Sequence, residues 1–428
     1  MEKQGRKKMI SLDADVVVIG GGPAGLSAAI SASKNGAKNV IVIDRNNWLG
    51  GILPQCIHDG FGVVETGKSM TGPEYAEMYI RIAKKQKIIF LKETMVLSFD
   101  KSLNITAVNR KGIHRIKTKS IVLAMGCREK TRWNAMIPGD RPSGIFTAGV
   151  AQAFINLYNI LVGKNVVILG SGDVGLIIAR RLKFEGANVL GVIEILPYAS
   201  GLSRNIVQCL DDYDIPIFLN HTITYIKGKE RLENVTIAQI DDESNIIPGT
   251  EKKIKCDTLL LSLGLTPENE ISKNAGIEID NVTGGPIVNQ FFETSLPGIF
   301  ACGNCIQVYD TVDILSIDAK SAGKYAAKHV ILHKEKFNNN SRVINIIPGK
   351  GIRYVIPQRI NKKEKVHFTL RVIKPKEAST LFMINKKKII FKKKLRFINP
   401  ANMIEFNVDI PEDVIKSSKK LEVTIDGY

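Results

Sequence analysis

A glycine pattern that occurs twice constrains this chain more than any other feature of its sequence. Gly20, Gly22 and Gly25 form G-x-G-x-x-G between an apolar β-type run and an alanine-rich helical pattern, and Asp44 ends the next apolar run nineteen residues later. The pattern recurs in KNVVILGSGDVG, and an acidic residue again follows nineteen residues after the last glycine. Two complete strand–loop–helix–strand units predict two Rossmann-like dinucleotide-binding domains and an α/β fold.

The residue types in each loop suit a bound pyrophosphate. The first glycine allows a tight turn, the second lets the backbone approach the phosphates, and the third lets the helix pack closely. The helix N-terminus faces the anion, and the acidic residue can accept hydrogen bonds from ribose hydroxyls. The residues predicted to take these roles are Gly20, Gly22, Pro23, Ala24, Gly25 and Asp44 in the first unit, and Gly170, Gly172, Asp173, Val174, Gly175 and Glu194 in the second.

Composition narrows the class of protein. The chain has 428 residues, of which 44% are hydrophobic and 24% charged, and it has no apolar run long enough to span a bilayer. Its six cysteines are scattered, unlike those of secreted domains held by disulfides, and the basic N-terminus lacks the apolar stretch of a signal peptide. A cytoplasmic protein is therefore expected.

The net charge of +18 is concentrated towards the C-terminus. Residues 331–428 hold 22 Lys and Arg against 9 Asp and Glu. From about Phe337, segments such as VHFTLRVI and MIEFNVDI place β-formers between turn signals, which predicts a small β-sandwich. The lysines of NKKKIIFKKKL form a solvated edge that opposes aggregation, or they bind an anionic membrane surface or an acidic partner. The scarcity of interleaved aromatic residues disfavours nucleic acid.

Three further segments carry a family resemblance: SIVLAMGCREK (120–130), CDTLLLSLGLTPEN (256–269) and TSLPGIFACGN (294–304). With the two units, they resemble the pyridine nucleotide-disulfide oxidoreductases, which are flavoproteins with two dinucleotide-binding domains. The resemblance implies FAD on the first unit and a nicotinamide cofactor on the second. It also implies FAD contacts at Arg45, Gly50, Gly51, Val96, Ala124, Gly126, Gly303, Asn304 and Asp313, and an NAD contact at Gly264.

The same resemblance implies the domain order, with the NAD domain inserted into the FAD domain. The predicted parts are residues 1–143 and 266–336 for the FAD domain, 144–265 for the NAD(P) domain and 337–428 for the β-sandwich. Asn304 stands where the family usually has aspartate, and its amide can still bond a ribityl hydroxyl. Glu194 suits a free ribose 2′-hydroxyl and no arginine follows it before Arg204, so NADH is preferred over NADPH.

The cysteine pattern separates the chain from the disulfide reductases of that family. Counted from Gly50 and Gly51, a C-x-x-x-x-C pair would fall on Leu53 and His58, and residues 144–255 contain no C-x-x-C. The expected mechanism is hydride transfer between NADH and FAD, with electrons passing to or from a partner flavoprotein dehydrogenase or a small electron carrier. GGILPQCIHDGFG, together with GDVGLIIARRL and GIFACGN, resembles the NAD(P)/FAD-dependent oxidoreductases paired with glycerol-3-phosphate dehydrogenase-type enzymes. The segments are more distantly similar to the FAD subunits of sarcosine, opine and proline dehydrogenases. This resemblance implies a partner dehydrogenase.

Two alternatives remain open. Cys56, with His58 two residues later, could serve as the catalytic thiol of a self-sufficient NADH oxidase or peroxide or disulfide reductase, or it could be a small buried residue. The chain could instead be chiefly an assembly or membrane-docking module that acts through its basic C-terminal domain. Cys302 and Cys305 form a C-x-x-C on the FAD motif, which we interpret as coincidence, and no metal site is predicted.

Overall fold

The computed structural model describes residues 9–332, 343–386 and 388–426. They form two compact units. The first unit combines the chain up to Cys127 with the chain from Pro267 onward, and the second unit is Arg128–Thr266. The predicted boundary at Phe337 lies outside the described residues, and the other predicted domain boundaries stay predictions.

The first stretch of the chain builds a Rossmann-like sheet. Its first strand ends in Val16–Ile19, four buried β-branched residues, which is typical of a parallel strand covered on both faces. The elements are β1 (Met9–Ile19), α1 (Pro23–Lys34), β2 (Val40–Ile43), α2 (Val63–Thr66), α3 (Gly72–Lys85), β3 (Ile89–Leu91), β4 (Met95–Phe99), β5 (Asn104–Asn109), β6 (Gly112–Leu123) and β7 (Cys127–Glu129).

The second unit repeats this architecture. Its elements are β8 (Ile145–Thr147), α4 (Ala148–Tyr158), β9 (Asn165–Leu169), α5 (Asp173–Phe184), β10 (Asn188–Ile193), α6 (Ser203–Cys209), β11 (Ile217–Phe218), β12 (His221–Gly228), β13 (Leu232–Gln239), β14 (Lys252–Lys255), β15 (Thr258–Leu261) and β16 (Leu265–Pro267). The strands β11-β10-β9-β15-β8 form a parallel five-stranded sheet, and β12-β13-β14 form an antiparallel one.

After the second unit, the chain adds one strand to the first sheet and then forms mostly β-strands. Its elements are α7 (Glu270–Asn274), β17 (Ile299–Ala301), α8 (Val312–Ile331), β18 (Ile344–Pro348), β19 (Ile352–Ile356), β20 (Arg359–Ile360), β21 (Lys365–Val372), β22 (Lys376–Asn385), β23 (Lys388–Ile398), β24 (Ile404–Asp409), α9 (Glu412–Ser417) and β25 (Lys420–Ile425). Strand β17 pairs in parallel with β6, so the first sheet has the order β3-β2-β1-β6-β5-β4, with β17 also on β6.

The C-terminal strands form two sheets with a common core. One sheet has the order β20-β18-β25-β22-β23 and the other β19-β21-β24. Leu381 and Val423 of the first sheet and Phe368 and Leu370 of the second are fully buried in one cluster. The predicted fold, with two Rossmann-like sheets and a C-terminal β-rich region, is confirmed. Within the described ranges, no helix combines the length and apolar character needed to cross a bilayer.

Candidate functional site

The outer glycines of each fingerprint are required by the packing of the chain itself. Gly20 has φ +111°, and a Cβ there would lie 2.2 Å from the Ala124 carbonyl oxygen. A Cβ on Gly25 would lie 1.8 Å from the Gly20 oxygen. Gly170, with φ +96°, would bring a Cβ within 2.1 Å of the Ser262 oxygen. These glycines therefore keep strand, loop and helix in close contact in both units.

The middle glycines are not required in this way. Gly22 has φ −74° and Gly172 has φ −65°, both open to any residue. The atoms nearest to an added Cβ would be the Gly51 Cα at 3.7 Å and the Ser262 Oγ at 3.6 Å, which are ordinary contacts. Each glycine begins a helix, α1 or α5, whose N-terminus has no side-chain cap. The space and the N–H donors fit a phosphate that approaches the backbone.

Asp44 follows β2 and ties the first loop to the strand. Its carboxylate, 8% exposed, accepts hydrogen bonds from the Gly21 N–H at 2.7 Å and the Asn46 N–H at 2.8 Å. An ionised carboxylate has about four acceptor positions, so two remain for ribose hydroxyls. The residue can thus hold the loop and the ribose together.

Glu194 has the corresponding place after β10 and is 3% exposed. Its Oε2 accepts from the Ser171 N–H at 2.9 Å, from the Ser171 hydroxyl and from the Ser200 hydroxyl at 3.1 Å. Among the described residues, the one hydrogen bond to Oε1 comes from the Leu196 N–H, at 3.0 Å. Oε1 therefore retains an acceptor position for a ribose hydroxyl, whereas the carboxylate would repel a 2′-phosphate.

Several other predicted residues lie around the N-terminus of α1. The Gly50 N–H donates to the Gly21 oxygen at 2.8 Å. A Cβ on Gly303 would lie 2.6 Å from the Ala24 Cβ. Gly126 has φ +73° and no heavy atom within 4 Å of its Cβ position, so open space borders the loop. The structure thus brings the glycine loop, the Gly50 segment and the Gly303 segment together.

In the second unit, Gly264 has φ +88° and equally open surroundings. Asp173, by contrast, directs its carboxylate to other parts of the protein. It accepts from the Leu202 N–H at 2.8 Å and from the Asn205 Nδ2 at 2.7 Å. Val174 packs against the core of this unit. The first turn of α5 is therefore anchored to the segment that leads into α6.

Three residues that the resemblance assigned to FAD have other surroundings. The Asp313 carboxylate accepts from the Gly62 N–H at 3.1 Å and the Glu65 N–H at 2.9 Å, so it secures the start of α2. Val96 lies in the hydrophobic core, and Arg45 is exposed. The roles proposed for these side chains at FAD stay predictions.

The segment after β17 is held by its own polar groups. The Asn304 Oδ1 accepts from the Tyr309 N–H at 3.1 Å, and its Nδ2 donates to the Cys127 Sγ at 3.5 Å. Cys302 and Cys305 are completely buried, and burial raises the pKa of both thiols, that of Cys305 to about 12. These two thiols are neutral and shielded from solvent, as expected for small core residues.

Cys56 lies at the end of a 3₁₀ turn, Leu53–Gln55, and its Sγ donates to the Ile52 oxygen at 3.5 Å. Burial of the thiol raises the pKa of Cys56 to about 12, so the neutral thiol prevails near neutral pH. The His58 ring contacts the Phe61 ring at 5.0 Å. The environment disfavours the thiolate that a reactive cysteine requires.

The prediction from the sequence missed Thr311, the N-cap of α8. The helix has no side-chain cap hydrogen bond, and the buried Thr311 hydroxyl has no hydrogen-bond partner among the described residues. Solvent does not reach this hydroxyl, so it does not line an open site that a ligand could enter. The local signal was available, because threonine before a helical pattern is typical of an N-cap.

The model of the pyridine nucleotide-disulphide oxidoreductase family matches residues 14–323, well over half of the chain. The chain belongs to this family. It is therefore an oxidoreductase, and the cofactors typical of the family are FAD and a nicotinamide dinucleotide. The family resemblance predicted from the sequence is confirmed at this level.

The sequences of the curated relatives differ widely from that of this chain. NADH dehydrogenase of Bacillus subtilis (strain 168) is 27% identical over 294 residues, 68% of this chain and 53% of its own length. The HcnB subunit of hydrogen cyanide synthase from Pseudomonas protegens is 24% identical over 322 residues, 67% of this chain and 65% of its own length. This chain therefore spans between half and two thirds of the length of these two relatives.

A solved structure shows the same fold. The thioredoxin reductase of T. acidophilum is 23% identical, with a TM-score of 0.60, and the match covers 74% of this chain and 98% of that one. The likeness concerns the fold alone. The C-terminal sheets of the family member lie beyond the residues that the family model matches.

Proposed function

We propose that this chain is an FAD-containing, NADH-linked oxidoreductase that passes electrons to or from a partner dehydrogenase. The observation that carries the proposal is the pair of middle glycines, Gly22 and Gly172. Neither backbone strain nor contact with the protein requires glycine there, yet each begins an uncapped helix beside a buried carboxylate. A backbone without a side chain at these two positions lets a pyrophosphate approach closely in both units.

In the first unit, the residues that would hold FAD come from several segments. The first turn of α1 offers N–H donors to the pyrophosphate, and Asp44 offers acceptors to the ribose. The N-terminus of α8, which the family resemblance places at the flavin, would offer the positive end of a helix dipole, which favours negative charge on the cofactor. FAD, when bound, supplies the ring that accepts or donates a hydride.

In the second unit, the residues favour NADH. The first turn of α5 offers N–H donors, and the buried Glu194 retains an acceptor on Oε1 for a 2′-hydroxyl. Arg204, which could neutralise a 2′-phosphate, is exposed on α6. The negative charge of Glu194 would therefore select against NADPH.

We infer a partner protein because the cysteines of this chain are poorly suited to accept electrons from the flavin. All six cysteines are at described positions, and none forms a disulfide. Burial raises the pKa of Cys56, Cys302 and Cys305, which leaves them poor nucleophiles. The similarity to HcnB, which is named as part of a larger synthase, supports a second polypeptide as acceptor or donor. We infer a flavoprotein dehydrogenase of the glycerol-3-phosphate dehydrogenase type, from the sequence resemblance.

The test is an anaerobic titration of the purified chain. Bound flavin should be released on denaturation and identified as FAD, and NADH should bleach its visible band at a lower concentration than NADPH. Turnover with oxygen, peroxide or low-molecular-weight disulfides should be slow and unchanged in Cys56→Ser. A chain that binds no flavin, or a flavin that neither reduced nicotinamide bleaches, would refute the proposal.

A further inference from the structure

Each glycine loop packs against one residue from a neighbouring strand end, and this residue differs between the two units. In the first unit, a Cβ on Gly20 would lie 2.2 Å from the Ala124 oxygen. In the second unit, a Cβ on Gly170 would lie 2.1 Å from the Ser262 oxygen. In both units the N–H of this residue donates to the carbonyl that ends the adjacent strand, β1 at 2.8 Å or β9 at 2.7 Å. Ser262 is therefore the counterpart of Ala124, and its hydroxyl distinguishes the two.

The side chain of Ser262, which directly follows β15, lies against the start of α5. Its Cβ and Oγ are each 2.8 Å from the position that a Cβ on Gly175 would take, so it uses the space that this glycine leaves. Chain neighbours apart, the Ser262 Oγ is also the one described heavy atom within 4 Å of the Cβ position of Gly172, at 3.6 Å. The hydroxyl therefore borders the open space at the middle glycine of the second fingerprint.

The hydroxyl of Ser262 is not used by the protein itself. Ser262 is half-buried, and its Oγ has no hydrogen-bond partner among the described residues. Solvent reaches this oxygen, because it is not one of the buried polar atoms that lack a partner. The hydroxyl of Ser171, in the same loop, instead donates to the Glu194 carboxylate. Ser262 thus presents an accessible donor at the loop, whereas Ser171 serves to hold Glu194.

A hydroxyl at this place suits a phosphate. The nicotinamide dinucleotide that is typical of the family contains a pyrophosphate, whose charged oxygens accept strong hydrogen bonds from O–H donors. The first turn of α5 offers backbone N–H donors to such a group. Ser262 would add a side-chain donor from a different segment of the chain.

We propose that Ser262 binds the pyrophosphate of the nicotinamide dinucleotide by donating its hydroxyl hydrogen to a phosphate oxygen. This inference rests on the proposed function, because it names a further binding residue for the cofactor of the second unit. It also assigns a consequence to the difference between the two loops. The loop of the first unit has alanine at the equivalent position and must hold its own pyrophosphate without this donor.

Ser262→Ala tests the hydroxyl with little risk to the fold. The hydroxyl bonds no described residue, so its removal breaks no hydrogen bond of the protein. The Cβ that packs against Gly175 stays, and the equivalent position of the first unit already carries alanine. The variant should therefore fold as the wild type does.

The matched control is Ser143→Ala. The Ser143 hydroxyl belongs to the same unit, and it donates to the Glu230 carbonyl at 2.8 Å in the connection between β12 and β13. Both variants remove one serine hydroxyl from the second unit, and the control removes one that the protein already uses. A general effect of losing a hydroxyl would appear in both variants.

The experiment measures ligand binding to the full-length, FAD-containing protein by calorimetry. The ligands are NAD⁺, which cannot reduce the flavin, and ADP-ribose, which keeps the pyrophosphate and lacks the nicotinamide. Ser262→Ala should raise the Kd for both ligands about tenfold, because a hydrogen bond to a charged group is lost. Ser262→Cys, which keeps a side chain of similar size but a weaker donor, should also lose affinity for both. Ser143→Ala should stay within about twofold of the wild type.

The outcomes separate this inference from the proposed function. If the wild type binds neither ligand, the assignment of a nicotinamide dinucleotide to the second unit fails. If the wild type binds both and Ser262→Ala keeps their affinities, the role of Ser262 is overturned and the proposed function stands. A loss for NAD⁺ alone would also overturn it, since the contact would then lie in the nicotinamide half of the cofactor. Equal losses in Ser262→Ala and Ser143→Ala would do the same.

Discussion

The imidazole of His367 should make the stability of the first unit depend on pH. Its ring bonds Asp318 at 3.1 Å and Glu405 at 3.2 Å, and these two carboxylates raise the pKa of His367 from 6.5 to about 9. A raised pKa in the folded state means that protonation stabilises the fold. This contribution is complete below about pH 6.5 and is lost as the pH rises through about 9.

The magnitude follows from that pKa. The change from 6.5 to about 9 corresponds to about 3 kcal/mol for a fully buried group. The imidazole is 30% exposed and partly screened, so we expect about 2 kcal/mol. His367→Gln should therefore cost about 2 kcal/mol near pH 6.5 and less than about 1 kcal/mol near pH 9.5.

The two tryptophans allow the measurement. Trp48 lies in the first unit and Trp133 in the second, so urea unfolding followed by fluorescence in a Trp133→Phe background reports the first unit. The wild-type free energy of unfolding should fall by about 2 kcal/mol more than that of His367→Gln over this pH range. Parallel curves for the two proteins would refute the reasoning.

Three further predictions concern the nucleotide sites. Cys56→Ser should leave NADH-dependent flavin reduction within about twofold of wild type, because the thiol is neutral; loss of reduction in stopped-flow traces would contradict this. Asp44→Ala should raise the Kd for FAD about tenfold or more in fluorescence titrations. The control is Asp15→Asn, because the Asp15 carboxylate also accepts from backbone N–H groups, and this variant should keep the wild-type Kd. Glu194→Gln should increase the ratio of kcat/KM for NADPH to that for NADH by about tenfold, and an unchanged ratio would show that Glu194 does not select the cofactor.

The parts of the site that follow from local spacing could be predicted from the sequence. A strand, a glycine loop and a helix within some thirty residues determine where Gly22 and Asp44 lie, because short connections leave few arrangements. The alternating pattern of the C-terminal segments also predicted its strands, since residues two apart share a face. Both kinds of prediction depend on neighbours along the chain.

The parts that depend on distant contacts could not be predicted. Arg371 and Asp310 are 61 residues apart, and nothing near either residue signals the other. Alternation in VHFTLRVI predicts one polar face, and the usual expectation is that such a face meets water. In β21 that face meets residues 307–318 instead. The bonds of Asp313 are a second example, because its carboxylate accepts from N–H groups 251 and 248 residues away, which no pattern near Asp313 indicates.

The most direct test of the account is a crossed pair of substitutions at the middle glycines. Gly22→Ala and Gly172→Ala add one methyl group each, at positions where neither φ nor a neighbouring atom opposes a Cβ. In equilibrium titrations with FAD and NADH, Gly22→Ala should lose affinity for FAD by about tenfold and keep NADH binding, and Gly172→Ala should do the reverse. Wild-type affinities in both variants, or the loss of the same cofactor in both, would contradict the assignment of one dinucleotide to each unit.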